Sequence, residues 1–309
     1  MRDVGESKKT VHIAIAANGV IAVSKLIGGL VSGSTAMLAE AAHSVADTSN
    51  QIFLLASIHL GQREPRPDRP FGHGQERFLW TFMAAIGMFL AGAVFAIGYG
   101  AYELASAGRE QGGYTIAYVV LALSFAAEGA SWLRAFRQNR REARRADMPL
   151  LAYVGQSRDP NVKMVLFEDT AALLGVLLAT LGVGLHQATG ASSWDAGGSI
   201  FIGLLLVGVA YWMGHDSKHL LVGASARPDE QDAMERVIEA HDEVVEVVQL
   251  LTMVLGPNAL MVAARVDLRD GLDSTQVEQL SSGIDRELRE AVPDVTEVFL
   301  DATPGQLDH

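Results

Sequence analysis

Six long apolar runs, at residues 11–31, 36–60, 78–104, 114–133, 161–185 and 196–214, restrict the fold of this chain more than any other feature. About twenty apolar residues cross the roughly 30 Å hydrocarbon core of a bilayer as an α-helix. Inside that core only helices or closed barrels keep every peptide group hydrogen-bonded. The runs therefore predict a membrane bundle of six transmembrane helices. With 49% hydrophobic and 19% charged residues, the chain is too apolar for a wholly soluble globule and too charged to lie wholly in lipid. A soluble part is expected beside the membrane part.

That part begins near residue 223. Pro228 followed by acids reads as a helix start. The β-branched runs at 244–255 and 258–267 are joined by Gly256-Pro257, a hairpin signal. Asp273 caps a second helix to about Ala291, and 295–300 gives a last strand. The expected division is a six-helix domain over 1–222 and a small α/β domain of αββαβ order, ferredoxin-like, over 223–309. Residues 226–309 hold 19 acids against 6 bases, whereas the rest holds 17 against 18. A tail this acidic argues against nucleic-acid binding. The absence of cysteine excludes thiolate metal sites and leaves nitrogen and oxygen ligands only.

The connections alternate in charge. Arg2, Lys8 and Lys9 precede the first run, and Arg63, Arg66, Arg69 and Arg77 lie between the second and third. Arg134, Arg137, Arg140, Arg141, Arg144 and Arg145 follow the fourth, and Lys218 and Arg227 the sixth. The opposite connections offer only Arg109. The excess of basic residues on the cytoplasmic side then predicts that both termini are cytoplasmic, with the six-arginine run oriented against lipid headgroups. The first ten residues are polar and the first apolar run lacks an evident cleavage site, so that run is expected to be a retained span.

Within the second run, His43 and Asp47 stand four residues apart, and helical spacing stacks them on one face. A carboxylate at the centre of a spanning helix costs roughly 2.5–3.5 kcal/mol, and such groups face a bundle interior or a watery path. Imidazole and carboxylate one turn apart suit a divalent ion such as zinc, provided other helices complete its shell. Glu40 and Asn50 extend the same stripe, as second-shell or pathway groups or as partners of buried polar neighbours. Glu128, in the fourth run, either pairs with Lys25 or Arg134 or relays protons. Lys25 reads as a snorkelling or paired lysine. Glu168 and Asp169 are adjacent and diverge by about 100° around a helix, so both are not expected to face one line. Asp169 is the better ligand; Glu168 pairs with another span, receives protons or completes the shell. Ala171, Ala172, Gly175, Ala179 and Gly182 mark a small-residue face for close helix approach.

Taken together, the six runs, the His43-x-x-x-Asp47 pair, the Phe71-Gly-His-Gly-x-Glu76 loop and the αββαβ tail resemble the cation diffusion facilitator family of divalent-metal transporters. More narrowly, three segments resemble its zinc transporter 9-like branch. They are Glu40-x-x-His43-Ser-x-x-Asp47-Thr-x-Asn50-Gln51, Ser124-x-x-x-Glu128-Gly-Ala, and Ser157-Arg-Asp-Pro160 with Glu168-Asp-Thr-Ala-Ala-x-Leu-Gly-Val176. The resemblance implies a homodimer that exports zinc from the cytoplasm or a matrix compartment in exchange for protons. No cofactor and no enzymatic activity are expected. The membrane is expected to be a bacterial inner membrane, an organelle inner membrane also suiting the topology.

The family's transport site takes a pair of residues four apart from each of the second and fifth spans. Carried over, it comprises His43, Asp47 and Asp169. The remaining position is Val165, which cannot coordinate, so a fourth ligand is water, a neighbour such as Glu168, or none. In the loop before the third span only His73 remains of an accessory site, with Arg66 and Arg69 where acid and histidine would fall. Val248, Ala264 and Asp301 replace the tail histidines of metal-sensing members, which leaves the tail as a dimerisation domain. Two rivals stay open: transport of manganese, iron or cobalt, and a non-transporting scaffold or sensor with a degenerate site.

Overall fold

The computed structural model describes residues 4–303 apart from 62, 64, 107–111, 158 and 159, without the side chains of 4–14, 54, 57, 58, 85, 156 and 160–165. Arg2, Arg109, Arg158 and Asp159, and the side chains of Lys8, Lys9, His12 and Val165, thus lie outside the described residues. The chain forms two compact units, Met1–Leu60 with Arg77–Lys218, and Gly61–Glu76 with His219–His309.

The first unit is helical. Its elements are α1 (Val4–Ser32), α2 (Thr35–Gly61), α3 (Glu76–Ala84), α4 (Leu90–Ala105), α5 (Tyr114–Arg145), α6 (Leu150–Gln156), α7 (Pro160–Thr189) and α8 (Ser193–Gly223). A π-helical turn, Ala85–Phe89, joins α3 to α4. Among the described residues five stretches are long and apolar enough to cross a membrane: Ile15–Ser32, Glu76–Ala105, Tyr114–Arg145, Leu166–Thr189 and Ser193–Glu239. The sixth expected span is helical as α2, but its stripe of Glu40, His43, Asp47 and Asn50 dilutes its apolar character and it is not one of the five. Val20, Leu30, Val94, Leu123, Leu181 and Leu204 are exposed, while Lys25, Glu40, His43 and Asp195 are buried. Apolar groups outside and charged groups inside is the distribution that a hydrocarbon solvent selects.

The α1–α2 corner shows how local sequence sets this up. Gly33 takes a left-handed φ of 70° and ends α1, its N–H donating to the Gly29 carbonyl at 2.9 Å. Ser34 then caps α2, accepting the Met37 N–H at 3.1 Å. A second cap comes from another helix. Asp195, in the first turn of α8 and wholly buried, accepts from the Ser34 hydroxyl at 2.7 Å and from the Thr35 and Ala36 N–H groups. A carboxylate on a helix N-terminus satisfies otherwise orphaned donors and complements the helix dipole.

In the second unit, α9 (Pro228–Glu239), β1 (Val244–Gly256), β2 (Ala259–Leu268), α10 (Ser274–Ala291) and β3 (Val295–Ala302) follow in the expected order. The sheet runs β1-β2-β3, with β1–β2 antiparallel and β2–β3 parallel. Asp273 and Gln276 form a reciprocal capping box at 2.8 and 2.9 Å. Met234, Ile238, Leu260, Val262, Ile284 and Leu288 make the core. Residues 61–76 belong to this unit rather than to the helical one, so the expected boundary at 222 leaves out a loop. Gly74 explains why: a Cβ there would lie 2.4 Å from the Leu255 carbonyl oxygen, so only glycine lets the loop settle on the β1–β2 turn. Phe71 packs edge-on to Phe299, with centroids 6.4 Å apart.

Candidate functional site

Helix α2 supplies most of the chemistry. The spacing of Glu40, His43, Asp47 and Asn50 places all four on the face that the bundle covers, and all are buried. His43 Nε2 is 3.3 Å from Asp47 Oδ1, and His43 Nδ1 is 3.6 Å from Glu40 Oε1. Phe89 of the π-helical turn stands edge-on to the imidazole, with ring centroids 6.5 Å apart and planes at 68°. Such a turn inserts an extra residue into a helix and re-aims its side chains.

Three other helices meet this stripe. From α1, Lys25 places its ammonium 2.8 Å from Glu40 Oε2 and 2.6 Å from Glu128 Oε1 of α5. Of the two expected partners for Glu128, the structure has Lys25, which is paired and not snorkelling. From α7, Glu168 accepts a hydrogen bond from Asn50 Nδ2 at 2.8 Å, the pairing with another helix that the sequence suggested. Asp169 accepts from Ser131 of α5 at 3.0 Å. About two turns of α7 further on, Gly175 allows α2 to come close: a Cβ there would sit 2.0 Å from Glu40 Oε1. The whole small-residue face of α7, Ala171, Ala172, Gly175, Ala179 and Gly182, is buried.

Asp47, Glu128, Glu168 and Asp169, with Asn18, Ser44 and Ser131, line a cavity of about 40 Å³. That volume holds a water or a small ion. Glu168 and Asp169 both border this cavity while turning to different helices, Glu168 to Asn50 of α2 and Asp169 to Ser131 of α5. Among the described residues no three His, Asp or Glu side chains are close enough together to hold a metal. Asp169 is turned to Ser131 and His43 stands behind Asp47 rather than on the cavity lining, so His43, Asp47 and Asp169 do not converge on a point. Glu40 Oε1, both His43 nitrogens, Asp47 Oδ1 and Glu128 Oε2 are buried without a hydrogen-bond partner. Buried polar groups are normally satisfied, and four of these atoms face one another instead, His43 Nε2 toward Asp47 Oδ1 and His43 Nδ1 toward Glu40 Oε1.

The weaker candidates lie elsewhere. His73 is buried in the loop of the second unit, 3.9 Å from Glu76, whose carboxylate is held by Arg69 at 2.6 Å. In the tail, Asp301 accepts from the Thr303 hydroxyl at 2.7 Å and from Arg265 at 3.0 Å, bonds that hold its carboxyl below the usual carboxylate range. From sequence alone Asn18 reads as structural or solvated, and neither Ser131, which borders the cavity with it, nor Asp195, which anchors the start of α2, stands out. Isolated polar residues in apolar runs give no periodic signal, but buried polar groups in spans are themselves the signal.

Fold and site together define an integral membrane protein whose helical bundle encloses a charged stripe beside a small polar cavity. The chain belongs to the cation efflux family, whose transmembrane domain matches residues 11–222. It is 32% identical over 282 residues to the mitochondrial proton-coupled zinc antiporter SLC30A9 of Xenopus laevis, covering 91% of this chain and 50% of that protein. It is 31% identical over 264 residues to metal tolerance protein C4 of Arabidopsis thaliana, covering 84% of this chain and 57% of that protein. To the manganese efflux system protein MneP of Bacillus subtilis it is 25% identical over 304 residues, 96% of each chain. The chain thus spans about half the length of the first two relatives.

Proposed function

We propose that this protein carries a divalent cation, zinc first, across a membrane in exchange for protons. The observation that supports it most is the shared cavity: Asp47 from α2 and Glu168 and Asp169 from α7 border one space, and His43 Nε2 lies 3.3 Å from Asp47. Its relatives include proteins named as a proton-coupled zinc antiporter and a metal tolerance protein, and transport of this kind is what the residues suit. His43, Asp47 and Asp169 are read as the ligands, Glu168 and Glu128 as nearby acids on the proton path, and Glu40 and Asn50 as groups that orient their neighbours. Neutral imidazole and ionised carboxylates hold metal, and their protonated forms release it. An imidazole exchanges protons near neutral pH, so His43 couples the two fluxes.

Because the three ligands do not converge, closure requires Asp169 to leave Ser131 and turn toward Asp47. That turn is the step we assign to alternating access, with α7 moving against α2 along its small-residue face. In this reading α2 is a sixth span, both termini are cytoplasmic, the membrane is a bacterial inner membrane, and the second unit makes a homodimer. A second reading, manganese, has support in the oxygen-rich lining of Asn18, Asp47, Glu128, Ser131, Glu168 and Asp169, since manganese favours oxygen shells. Proteoliposome flux under an imposed proton gradient, with a panel of divalent metals, tests both. Zinc flux lost in His43→Ala and Asp47→Ala supports the proposal. Flux unimpaired in both variants refutes the site, and a strong preference for manganese selects the second reading.

A further inference from the structure

The Lys25 triad is more than a neutral pairing. One carboxylate suffices to balance one ammonium, yet Lys25 has two, each giving a single oxygen at 2.8 or 2.6 Å. The other oxygens, Glu40 Oε1 and Glu128 Oε2, are buried without hydrogen-bond donors, and His43 Nδ1, 3.6 Å from Glu40 Oε1, is equally unpartnered. Two carboxylates thus share a single positive charge, at a lysine only 1% exposed, and His43 stands beside one of them. Carboxylate and imidazole are the donor types that zinc takes, although with Lys25 in place no three such side chains among the described residues are close enough together to hold it. A lysine ammonium is a compact point charge on a flexible stem, able to stand where a metal ion would.

We propose that Lys25, Glu40 and Glu128 form a cation position in their own right, filled by the Lys25 ammonium as a tethered counter-ion that keeps a second divalent ion out of the stripe. Glu128 also borders the cavity with Asp47 and Asp169, so the two positions share a wall. With the ammonium seated, a transported ion meets only the Asp47–Asp169 side, and the stripe carries one dication at a time. Without it, Glu40 and Glu128, with His43 beside Glu40, draw together around a second one. The effect on transport rests on the function proposed above; the existence of the cation position does not.

The test is zinc stoichiometry, measured by elemental analysis of the full chain in lipid nanodiscs equilibrated with zinc chloride. Lys25→Met replaces the ammonium with an apolar chain of similar length. It is made both alone and in an Asp169→Asn background, where the proposed transport site is disabled. The proposal predicts about one additional zinc ion per chain over the matching parent in both backgrounds, lost again in Lys25→Met/Glu128→Gln. A gain with no zinc in the wild type would sink the transport-site reading and leave this one standing. If Lys25→Met does not fold in metal-free buffer, the same position predicts that zinc restores its thermal transition. A folded Lys25→Met with unchanged zinc content, or an unfolded one that zinc fails to rescue, overturns the proposal.

Discussion

Replacing Gly175 with alanine puts the closeness of α2 and α7 to the test with a single methyl group. The added Cβ would stand 2.0 Å from Glu40 Oε1, 3.0 Å from its carboxyl carbon and 3.5 Å from His43 Nδ1. Glu40 cannot easily swing aside, because it is fully buried and its other oxygen is held by Lys25 at 2.8 Å. Either α7 moves off by about 1 Å or the Lys25–Glu40 bond breaks. Overpacking of this kind costs about 1–3 kcal/mol. Breaking the bond adds about 1–3 kcal/mol for the charged group left unpaired. In both cases Asp169 loses its register with Asp47, so zinc flux should fall beyond what lower stability explains. Thermal melting and proteoliposome flux measure the two effects. Glu40→Ala in the same chain removes the atom that is struck, so the double variant should be destabilised by at least about 1 kcal/mol less than the sum of the single ones. Additive effects, or wild-type melting and flux in Gly175→Ala, would refute the close contact.

Asp195→Ala should lower stability by about 1–3 kcal/mol, because the Ser34 hydroxyl and the Thr35 N–H lose their buried acceptor. Asp195→Asn should cost less, a comparison that thermal melting reads directly. Gly74→Ala should loosen the 61–76 loop, since its methyl would meet backbone at Leu255 rather than a movable side chain; faster hydrogen exchange at 71–76 is the expected result, and unchanged exchange would count against the packing. Asn50→Leu should cost about 1–3 kcal/mol by leaving Glu168 without its 2.8 Å donor, and should shift the pH dependence of flux. A flux profile identical to wild type would place Glu168 outside the proton path.

The apolar runs made the helices legible, because lipid leaves the backbone few alternatives, and the strands were legible from β-branched runs broken at Gly256-Pro257. Helix ends were less so: α5 continues through the arginine run to Arg145, where charge was read as the end of the span. The short helix α6 carries no apolar period and was missed. At the site, the single-face spacing of α2 was readable and the partners across helices were not. No spacing rule links Lys25 to Glu128, or Asp195 to Thr35, because those contacts are made by tertiary packing. The same limit covers Glu168 and Asp169: their divergence around α7 is legible, while the partners they meet, Asn50 of α2 and Ser131 of α5, and the cavity they both border are not.

Anomalous scattering at the zinc edge, recorded from zinc-soaked crystals of the full chain, addresses the central claim most directly. A peak bounded by His43 Nε2, Asp47 and Asp169, with Asp169 turned away from Ser131, is the result this account predicts. Zinc bound to none of those three side chains would contradict it.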